Sequence, residues 1–266
     1  MLRLALTPRW LGWLSLVAVA CVAFLLLGQW QWDRYETKQA RADRVEAHYT
    51  APAVPVEEVL GQDPVPLDQE WRRVEATGTY DAAETVLARN RPHEDGYGSE
   101  VLVPLRLDDG RTLIVDRGWV ANSPEGAEVR PDVPEPPTGE VEVTGWVRPG
   151  EPDLDRDMPD DLVASINLDQ LADRVGGEVL GGYVIMQDEQ LLGASDGAGA
   201  ERPTPLEEPD TGIGPHLAYA IQWWLGIPAA IAFVLVALRR EARVEAGLPA
   251  REPKPKKVRI WDEEDG

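Results

Sequence analysis

The chain of 266 residues carries a formal net charge of −21 at pH 7 and contains one cysteine. The acidic excess excludes nucleic acid as a partner, because phosphate groups attract positively charged surfaces. The single cysteine excludes a disulfide framework and a zinc site built on cysteines. Two long apolar segments leave about 180 residues for a soluble part, which is enough for one domain.

The first apolar segment covers residues 10–32 and follows Arg3 and Arg9. About 20 apolar residues cross the hydrocarbon core of a bilayer as a helix, so this segment predicts a transmembrane helix. A lipoprotein signal cleaved before Cys21 is the alternative, but the apolar run continues well past that residue. Polar residues with helical spacing follow, so we expect the helix to extend to about His48, before a group of prolines.

Between the apolar segments, the sequence predicts an α+β domain with a mainly antiparallel sheet of five or more strands and one or two helices. The segments with strand periodicity are 71–80, 84–90, 101–107, 111–115, 140–147 and 183–187. Asp109-Gly110 indicates a tight hairpin, and Pro104 is expected at a sheet edge or a bulge. Asn167 is a typical N-cap for a short helix that Gly176 would end.

The second apolar segment begins at His216 and has no charged side chain between residues 217 and 238. It predicts a second transmembrane helix at 216–238. Arginines precede the first segment and follow the second, so the positive-inside rule places both termini in the cytoplasm and residues 33–215 outside the cell membrane. Residues 1–9 and 239–266 are then cytoplasmic. The glycine-, proline- and acid-rich residues 193–214 are predicted to form a mobile linker.

Helical spacing places His216, Tyr219 and Trp223 on one face at the start of the second transmembrane helix. One interpretation is an interfacial belt, where such amphipathic side chains are common. The other is a metal ligand beside an aromatic wall, because a neutral imidazole binds metal ions. The residues alone leave both interpretations open. The remaining histidines, His48 and His93, are expected on the surface of the domain.

The sequence has no nucleophile elbow, no HExxH motif and no phosphate-binding loop. We therefore expect a protein that is not an enzyme, although catalysis by carboxylates alone stays open. The run Asp116-Arg117-Gly118-Trp119 is interpreted as structural support for a partner surface. We expect Arg117 to hold a carboxylate or backbone carbonyls, and Gly118 to adopt a backbone conformation closed to other residues.

Four motifs occur in order along the chain: GQWQxxRxxxK at 28–38, VDRGWV at 115–120, YVIMQ at 183–187 and PHLxYAxQW at 215–223. Together they resemble the surfeit locus protein 1 family, which comprises assembly factors of cytochrome c oxidase. The resemblance extends over nearly the whole chain except the cytoplasmic tail. Gly28, Trp30 and Gln31 belong to the first motif, which we expect to serve structure or partner binding, like the second.

The resemblance implies a membrane assembly factor that helps insert haem a into the catalytic subunit of the oxidase. It implies transient binding of haem a, with His216 as the iron ligand and Tyr219 and Trp223 beside the macrocycle. We expect the porphyrin between the two membrane helices, with its propionates paired to Arg34 and Lys38. The implied partners are the oxidase catalytic subunit, a haem a synthase and the lipid bilayer.

Two other functions remain compatible with the sequence. A non-catalytic membrane scaffold would stabilise oxidase or respiratory supercomplex subunits without binding haem. A membrane-tethered enzyme would act through carboxylates of the external domain. Because the most specific motifs cluster near the membrane surface, the sequence favours the assembly factor and the scaffold over the enzyme.

Overall fold

Two long helices precede and follow, along the chain, a domain built on one β-sheet. A computed structural model describes residues 2–126, 129–193 and 201–247. The helices are α1 (Leu2–Ala5), α2 (Pro8–His48), α3 (Leu168–Val175) and α4 (His216–Glu245). The strands are β1 (Val54–Pro55), β2 (Arg73–Tyr80), β3 (Val86–His93), β4 (Gly96–Leu107), β5 (Arg111–Ala121), β6 (Glu140–Pro149), β7 (Leu162–Val163) and β8 (Glu178–Leu191).

Five strands of the sheet close into a ring, which forms a small barrel. β2 pairs with β6, β6 with β8, β8 with β5, β5 with β4, and β4 again with β2. β8 runs parallel to β5, and the other pairings of the ring are antiparallel. Outside the ring, β1 lies parallel to β2, while β3 pairs with β4 and carries β7.

The structure confirms the α+β class and shows a mixed sheet, with parallel pairings that the sequence did not predict. The chain leaves the end of β5, forms β6 and α3, and returns to the starting end of β5 before β8 begins. Such a return is what a parallel pairing requires. Strand periodicity reports which residues are extended, but it carries no information on this return.

Alternation of side chains gives the barrel an apolar interior. Every second residue of β6 from Val141 to Val147 is buried, and the residues between them are exposed or partly exposed. The interior cluster includes Val74, Leu105, Leu113, Val115, Val143, Leu180 and Val184. Burying each such side chain contributes about 1.5–3 kcal/mol. On the outer face, α3 packs Leu171 and Val175 against the sheet.

The local signals at chain reversals are confirmed. Asn167 Oδ1 accepts a hydrogen bond of 3.0 Å from the backbone N–H of Gln170 and so caps α3. Gly176 follows the last residue of this helix with a φ of +65°, in the left-handed region that glycine adopts without strain. β4 and β5 form the predicted hairpin, with Gly110 in its turn at a φ of +86°.

The sequence suggested a sheet edge or a bulge for Pro104, and the structure shows neither. Pro104 pairs with Ile114 in the interior of the sheet, at the point where the other side of β4 changes partner from β3 to β2. The Pro104 carbonyl accepts a hydrogen bond of 2.8 Å from Asp81 N on that other side. In a strand, the nitrogen and the carbonyl of one residue point to the same side, so the Pro104 nitrogen also faces the junction between β3 and β2. No strand residue there requires a hydrogen bond from position 104, so the missing N–H of proline is tolerated.

The chain divides into two compact units, Met1–Thr37 with Ile213–Gly266, and Lys38–Gly212. Two helices, α2 and α4, are long and apolar enough to cross a membrane. Their most apolar windows are only 6% and 11% buried, which is unlike the core helix of a soluble protein. The extension of α2 to His48 is confirmed. The tail beyond residue 247 lies outside the described residues.

The last turns of α2 pack on the barrel within the second unit. Arg44 donates two hydrogen bonds to Glu70 Oε2, at 3.3 and 3.1 Å. His48 Nδ1 lies 3.1 Å from the Glu70 carbonyl oxygen, and Tyr49 stacks on Trp146 with 4.3 Å between ring centroids. His48 is therefore a packed, partly buried side chain and not the surface residue that we expected.

The predicted mobile linker includes a segment that pairs with the barrel. In residues 201–207, here called the strap, Thr204 and Trp119 exchange two backbone hydrogen bonds of 2.7 and 2.9 Å. Pro203 is buried, and Arg202 donates to Asp188 at 2.7 Å. For the strap the linker prediction is wrong, because polar composition does not reveal pairing with an open strand edge. Residues 194–200 of the predicted linker lie outside the described residues.

Candidate functional site

Two residues predicted at the membrane surface meet where α2 and α4 come together. His216 is the first residue of α4, and its Nδ1 lies 2.8 Å from Oε1 of Gln31 on α2. Because an amide oxygen only accepts hydrogen bonds, Nδ1 is the donor, and in the neutral imidazole Nε2 then keeps its lone pair. Metal-ligating histidines are commonly held in this way, with the second ring nitrogen hydrogen-bonded.

Gly214 keeps space beside the free nitrogen of His216. Its φ of +63° lies in the region that favours glycine, so it turns the chain sharply before α4 begins. A Cβ on Gly214 would lie 3.4 Å from His216 Cδ2 and 3.6 Å from Nε2. A larger side chain at this position would crowd the ring edge that a ligand has to approach.

The aromatic residues of α4 differ in what they contact. Trp223 packs on Phe24 of α2, with 5.6 Å between ring centroids, and Trp224 packs on Trp32 at 5.8 Å. These two indoles hold the helix pair together. Tyr219, one turn after His216, is 46% exposed. Of the three residues predicted on one face, His216, Tyr219 and Trp223, Trp223 is therefore used in helix packing, while the Tyr219 ring is open to its surroundings.

The two predicted cations lie in different units. Arg34 is in the same unit as His216, one turn beyond Gln31 on α2, with its guanidinium 5.8 Å from the centroid of the Trp30 ring. Lys38 belongs to the second unit, where its Nζ donates to the Gly212 carbonyl at 3.4 Å. Trp30 is 52% exposed and does not belong to the aromatic contacts between α2 and α4.

We predict that Gly28→Ala lowers the amount of membrane-inserted protein. A Cβ on Gly28 would overlap the indole of Trp224, so this ring or the helix has to move. Overpacking of this kind costs about 1–3 kcal/mol. Gly12→Ala is the matched control, because Gly12 lies on the same helix and its added Cβ meets no described atom within 4 Å. Immunoblots of membrane fractions compare the two; equal amounts would contradict close packing at Gly28.

Arg117 lies inside the barrel domain with its side chain fully buried. Its Nε and Nη2 donate to the two carboxylate oxygens of Glu189 at 3.1 and 2.6 Å, and its Nη1 donates to the Pro134 carbonyl at 2.9 Å. The guanidinium also lies 5.6 Å from the centroid of the Tyr80 ring. The expectation that Arg117 holds a carboxylate or backbone carbonyls is confirmed, since it holds both.

Gly118 and Trp119 form the docking point of the strap. Gly118 has a φ of +128°, as expected of a conformation closed to other residues, and a Cβ there would overlap the Thr204 carbonyl. Trp119 Nε1 donates to the Arg91 carbonyl at 3.1 Å. His93 stacks on the Trp119 ring at 4.6 Å and its side chain is only 10% exposed, so its expected surface position is wrong.

Asp116 is a fully buried carboxyl beside a group of charged side chains. Its Oδ1 accepts a hydrogen bond of 3.1 Å from Gly118 N, while its Oδ2 has no hydrogen-bond partner among the described residues. Arg91 binds Glu151 through two hydrogen bonds of 2.9 and 2.6 Å and lies 3.0 Å from Glu100. Burial raises the pKa of Asp116 well above its usual value, and the Glu100 charge raises this pKa further.

We predict that Asp116→Asn leaves the fold intact and makes the protein less sensitive to alkaline pH. The pKa of the folded carboxyl lies above that of the unfolded chain, which is about 3.9. Stability from Asp116 is therefore full below about pH 4 and is lost as pH rises through the folded pKa. Asparagine offers Gly118 the same acceptor oxygen without the charge. Between about pH 5 and pH 8, the melting temperature of the variant should decrease by less than that of the wild type.

Asp109→Asn is the control for this pH experiment. Hydrogen bonds from Arg111 lower the pKa of the exposed Asp109 carboxyl, so this group adds stability as pH rises. Its removal therefore does not reduce the alkaline loss. Burial also raises the pKa of Glu100, which leaves some alkaline sensitivity in the Asp116 variant. Identical pH profiles for the wild type and Asp116→Asn would show that Asp116 does not hold a proton.

The structure brings together residues that the sequence did not connect. Glu189 and Thr204 complete the surroundings of the Asp116–Trp119 motif, and Phe24 supports Trp223. No spacing rule identifies them, because each acts through one contact with a distant part of the chain. The signal that the sequence did carry, an adjacent acid and arginine in a domain rich in acids, is not specific.

These features define a class: a protein with two helices of membrane-spanning length, an α+β domain between them in sequence, and an imidazole at the start of the second helix. The chain belongs to the SURF1 family, whose family model matches residues 18–225. The resemblance drawn from the four motifs is thereby confirmed. This family is generally linked to cytochrome c oxidase assembly.

Individual relatives agree with this membership. The chain is 35% identical over 260 residues to an uncharacterized SURF1-like protein of Mycobacterium bovis, covering 93% of this chain and 92% of that protein. The same identity and coverage apply to an uncharacterized SURF1-like protein of Mycobacterium tuberculosis. A SURF1-like protein of Rickettsia bellii is 22% identical over 232 residues, covering 84% of this chain and 89% of that protein.

Proposed function

We propose that this protein helps assemble haem-a-type cytochrome c oxidase by holding haem a for insertion into the catalytic subunit. Family membership supports the link to oxidase assembly. The observation that carries the haem assignment is the hydrogen bond between His216 Nδ1 and Gln31 Oε1. In the neutral ring it selects the tautomer with an unprotonated Nε2, which is the form in which an imidazole ligates iron.

The side chains around His216 fit a haem, which is a cargo in this proposal. Tyr219 offers an open ring one turn further along α4. Trp223 and Trp224 already fill the contact with α2, so the expected position between the helices is revised: the macrocycle lies on the Tyr219 side. Arg34, which lies in the same unit as His216, is one proposed cation for a propionate. Lys38, from the second unit, remains the other proposed cation.

This arrangement supports delivery of haem more than permanent storage. One imidazole and one open aromatic ring give a shallow, exposed binding face, and a shallow face favours release to a partner that offers a deeper pocket. The proposed partners are the oxidase catalytic subunit and a haem a synthase. The proposal contains no catalytic step, and the buried acids near Asp116 are assigned to the structure of the domain.

The proposed location is the cell membrane, with both termini in the cytoplasm and the barrel domain outside. Arg3, Arg9, Arg239 and Arg240 flank the outer ends of the two apolar helices, which supports this orientation. The test is a Tyr97→Cys variant in a Cys21→Ser background, because Tyr97 is 67% exposed. A membrane-impermeant maleimide should label it in intact cells. Labelling only after lysis would show that the barrel domain lies in the cytoplasm and would contradict the proposed orientation.

The test of the haem proposal is the visible spectrum of the purified full-length protein. Co-expression with the enzymes of haem a synthesis should give a Soret band that is missing without them. A non-catalytic scaffold is the second candidate, favoured by the use of Trp223 and Trp224 in helix packing. A protein that raises the yield of oxidase but never carries haem would support the scaffold and contradict haem delivery.

A further inference from the structure

A groove lies between α2 and α4 at the end of the helix pair that is remote from His216. Its apolar lining consists of Trp10, Trp13, Phe233, Val234 and Ala237, and its volume is about 200 Å³. Phe233 is 69% exposed and Trp13 is 48% exposed. In a bilayer, the open side of such a groove faces lipid acyl chains.

Arginines occur on the helices at this end of the groove. Arg9 lines it, and its side chain is 72% exposed although Nη1 lies 3.3 Å from Glu241 Oε1. A guanidinium has five N–H donors, so Arg9 retains donors for a further acceptor. Arg239 and Arg240 are exposed on α4, and Arg3 is exposed on α1. Glu241 is the carboxylate in the lining, and these arginines outnumber it.

The indole of Trp10 adds a second, independent observation. Trp10 is 5% exposed, and its Nε1 has no hydrogen-bond acceptor among the described residues. A buried N–H without an acceptor is unfavourable, and hydrocarbon offers none. The ester oxygens of a glycerophospholipid are acceptors that lie at the depth between head group and acyl chain. Because Nε1 has almost no accessible surface, such an oxygen would reach it once the indole turns toward the groove that Trp10 lines.

We propose that this groove binds one anionic phospholipid of the cytoplasmic leaflet, with an acyl chain along Trp13 and Phe233 and the phosphate at Arg9. The inference rests on the membrane insertion proposed above and is independent of haem binding. A zwitterionic lipid fits the apolar lining equally well. It lacks the net negative charge that clustered arginines attract, which is why an anionic lipid is favoured.

The experiment uses the full-length protein in bilayer discs made of equal amounts of phosphatidylglycerol and phosphatidylcholine. After mild detergent release, native mass spectrometry counts the lipids retained. The wild type should retain phosphatidylglycerol in excess. Arg9→Gln should reduce this retention about fivefold, since one arginine near a membrane surface contributes about that factor. Ala237→Phe should reduce it by filling the groove.

Arg41→Gln is the matched control, because Arg41 is an exposed arginine on the same helix, far along the chain from Arg9 and outside both proposed sites, and this variant should leave retention unchanged. Equal loss in Arg41→Gln and Arg9→Gln would reveal general charge attraction and overturn the site. Equal retention of the two lipids by the wild type would also overturn it. A protein absent from the membrane fraction would instead defeat the proposed membrane insertion, so the two failures are distinguishable.

Discussion

Replacing His216 by alanine is expected to abolish the haem spectrum while leaving the protein in the membrane. The variant loses the Nε2 lone pair and the hydrogen bond to Gln31, and the latter contributes only about 1 kcal/mol to stability. Abundance should therefore change little, while the Soret band disappears and less haem a reaches the oxidase. The measurements are membrane abundance, the visible spectrum and the haem a content of purified oxidase.

Two further variants separate ligation from structure. Gln31→Leu keeps His216 but frees its ring, so haem retention should fall about tenfold or more, as for other residues that orient a metal ligand. His216→Met offers another axial ligand of haem iron and should restore a shifted band. His48→Ala is the control, because His48 packs on Glu70 away from this site. An unchanged Soret band in His216→Ala would contradict the ligand assignment.

Replacing Gly118 by glutamate is expected to reduce folded protein more than any other single change named here. The backbone at φ +128° is strained for every other residue, which costs about 1–3 kcal/mol. The new side chain also overlaps the Thr204 carbonyl and brings a charge into a buried place. Thermal melts and resistance to protease should both fall sharply, because the strap can no longer lie on β5.

Three other substitutions separate the causes of this loss of folded protein. Gly118→Ala keeps the backbone strain and the overlap with Thr204 but adds no charge, so its loss should be smaller. Gly61→Glu is the matched control, since an added Cβ at the exposed Gly61 meets no described atom within 4 Å. Arg117→Lys should be milder than Gly118→Glu, because lysine keeps the charge but loses the two-point contact with Glu189. Wild-type melting of Gly118→Glu would show that the strap is not held there.

The elements that the sequence predicted are those specified by neighbouring residues. Gly110 in the hairpin turn, Asn167 as a helix cap and the end of α2 at His48 depend on residues a few positions apart. Such signals act through backbone geometry and local hydrogen bonds, so a single sequence contains them. The alternation of β6 from Val141 to Val147 is of the same kind.

The pairings that complete the candidate site depend on distant residues. Gln31 and His216 are 185 positions apart, and Arg117 and Glu189 are 72 positions apart. Each pair consists of one contact, which leaves no periodic pattern in the chain. The charge of Glu189 is one among 47 acidic residues, so composition does not single it out either. Family resemblance led to His216, but only the structure connects it with Gln31.

The closed ring of strands also determines when, during synthesis, the domain between the two apolar helices can fold. β8 ends at Leu191 and lies between β6 and β5, so the ring stays open until nearly the whole domain has been synthesised. Before then, two strand edges are unpaired, and such edges promote aggregation. In the orientation proposed above, the domain would cross the membrane as an extended chain and gain its long-range pairings only afterwards. Folding that depends on long-range pairings is slow, which leaves an interval during which proteases compete with it.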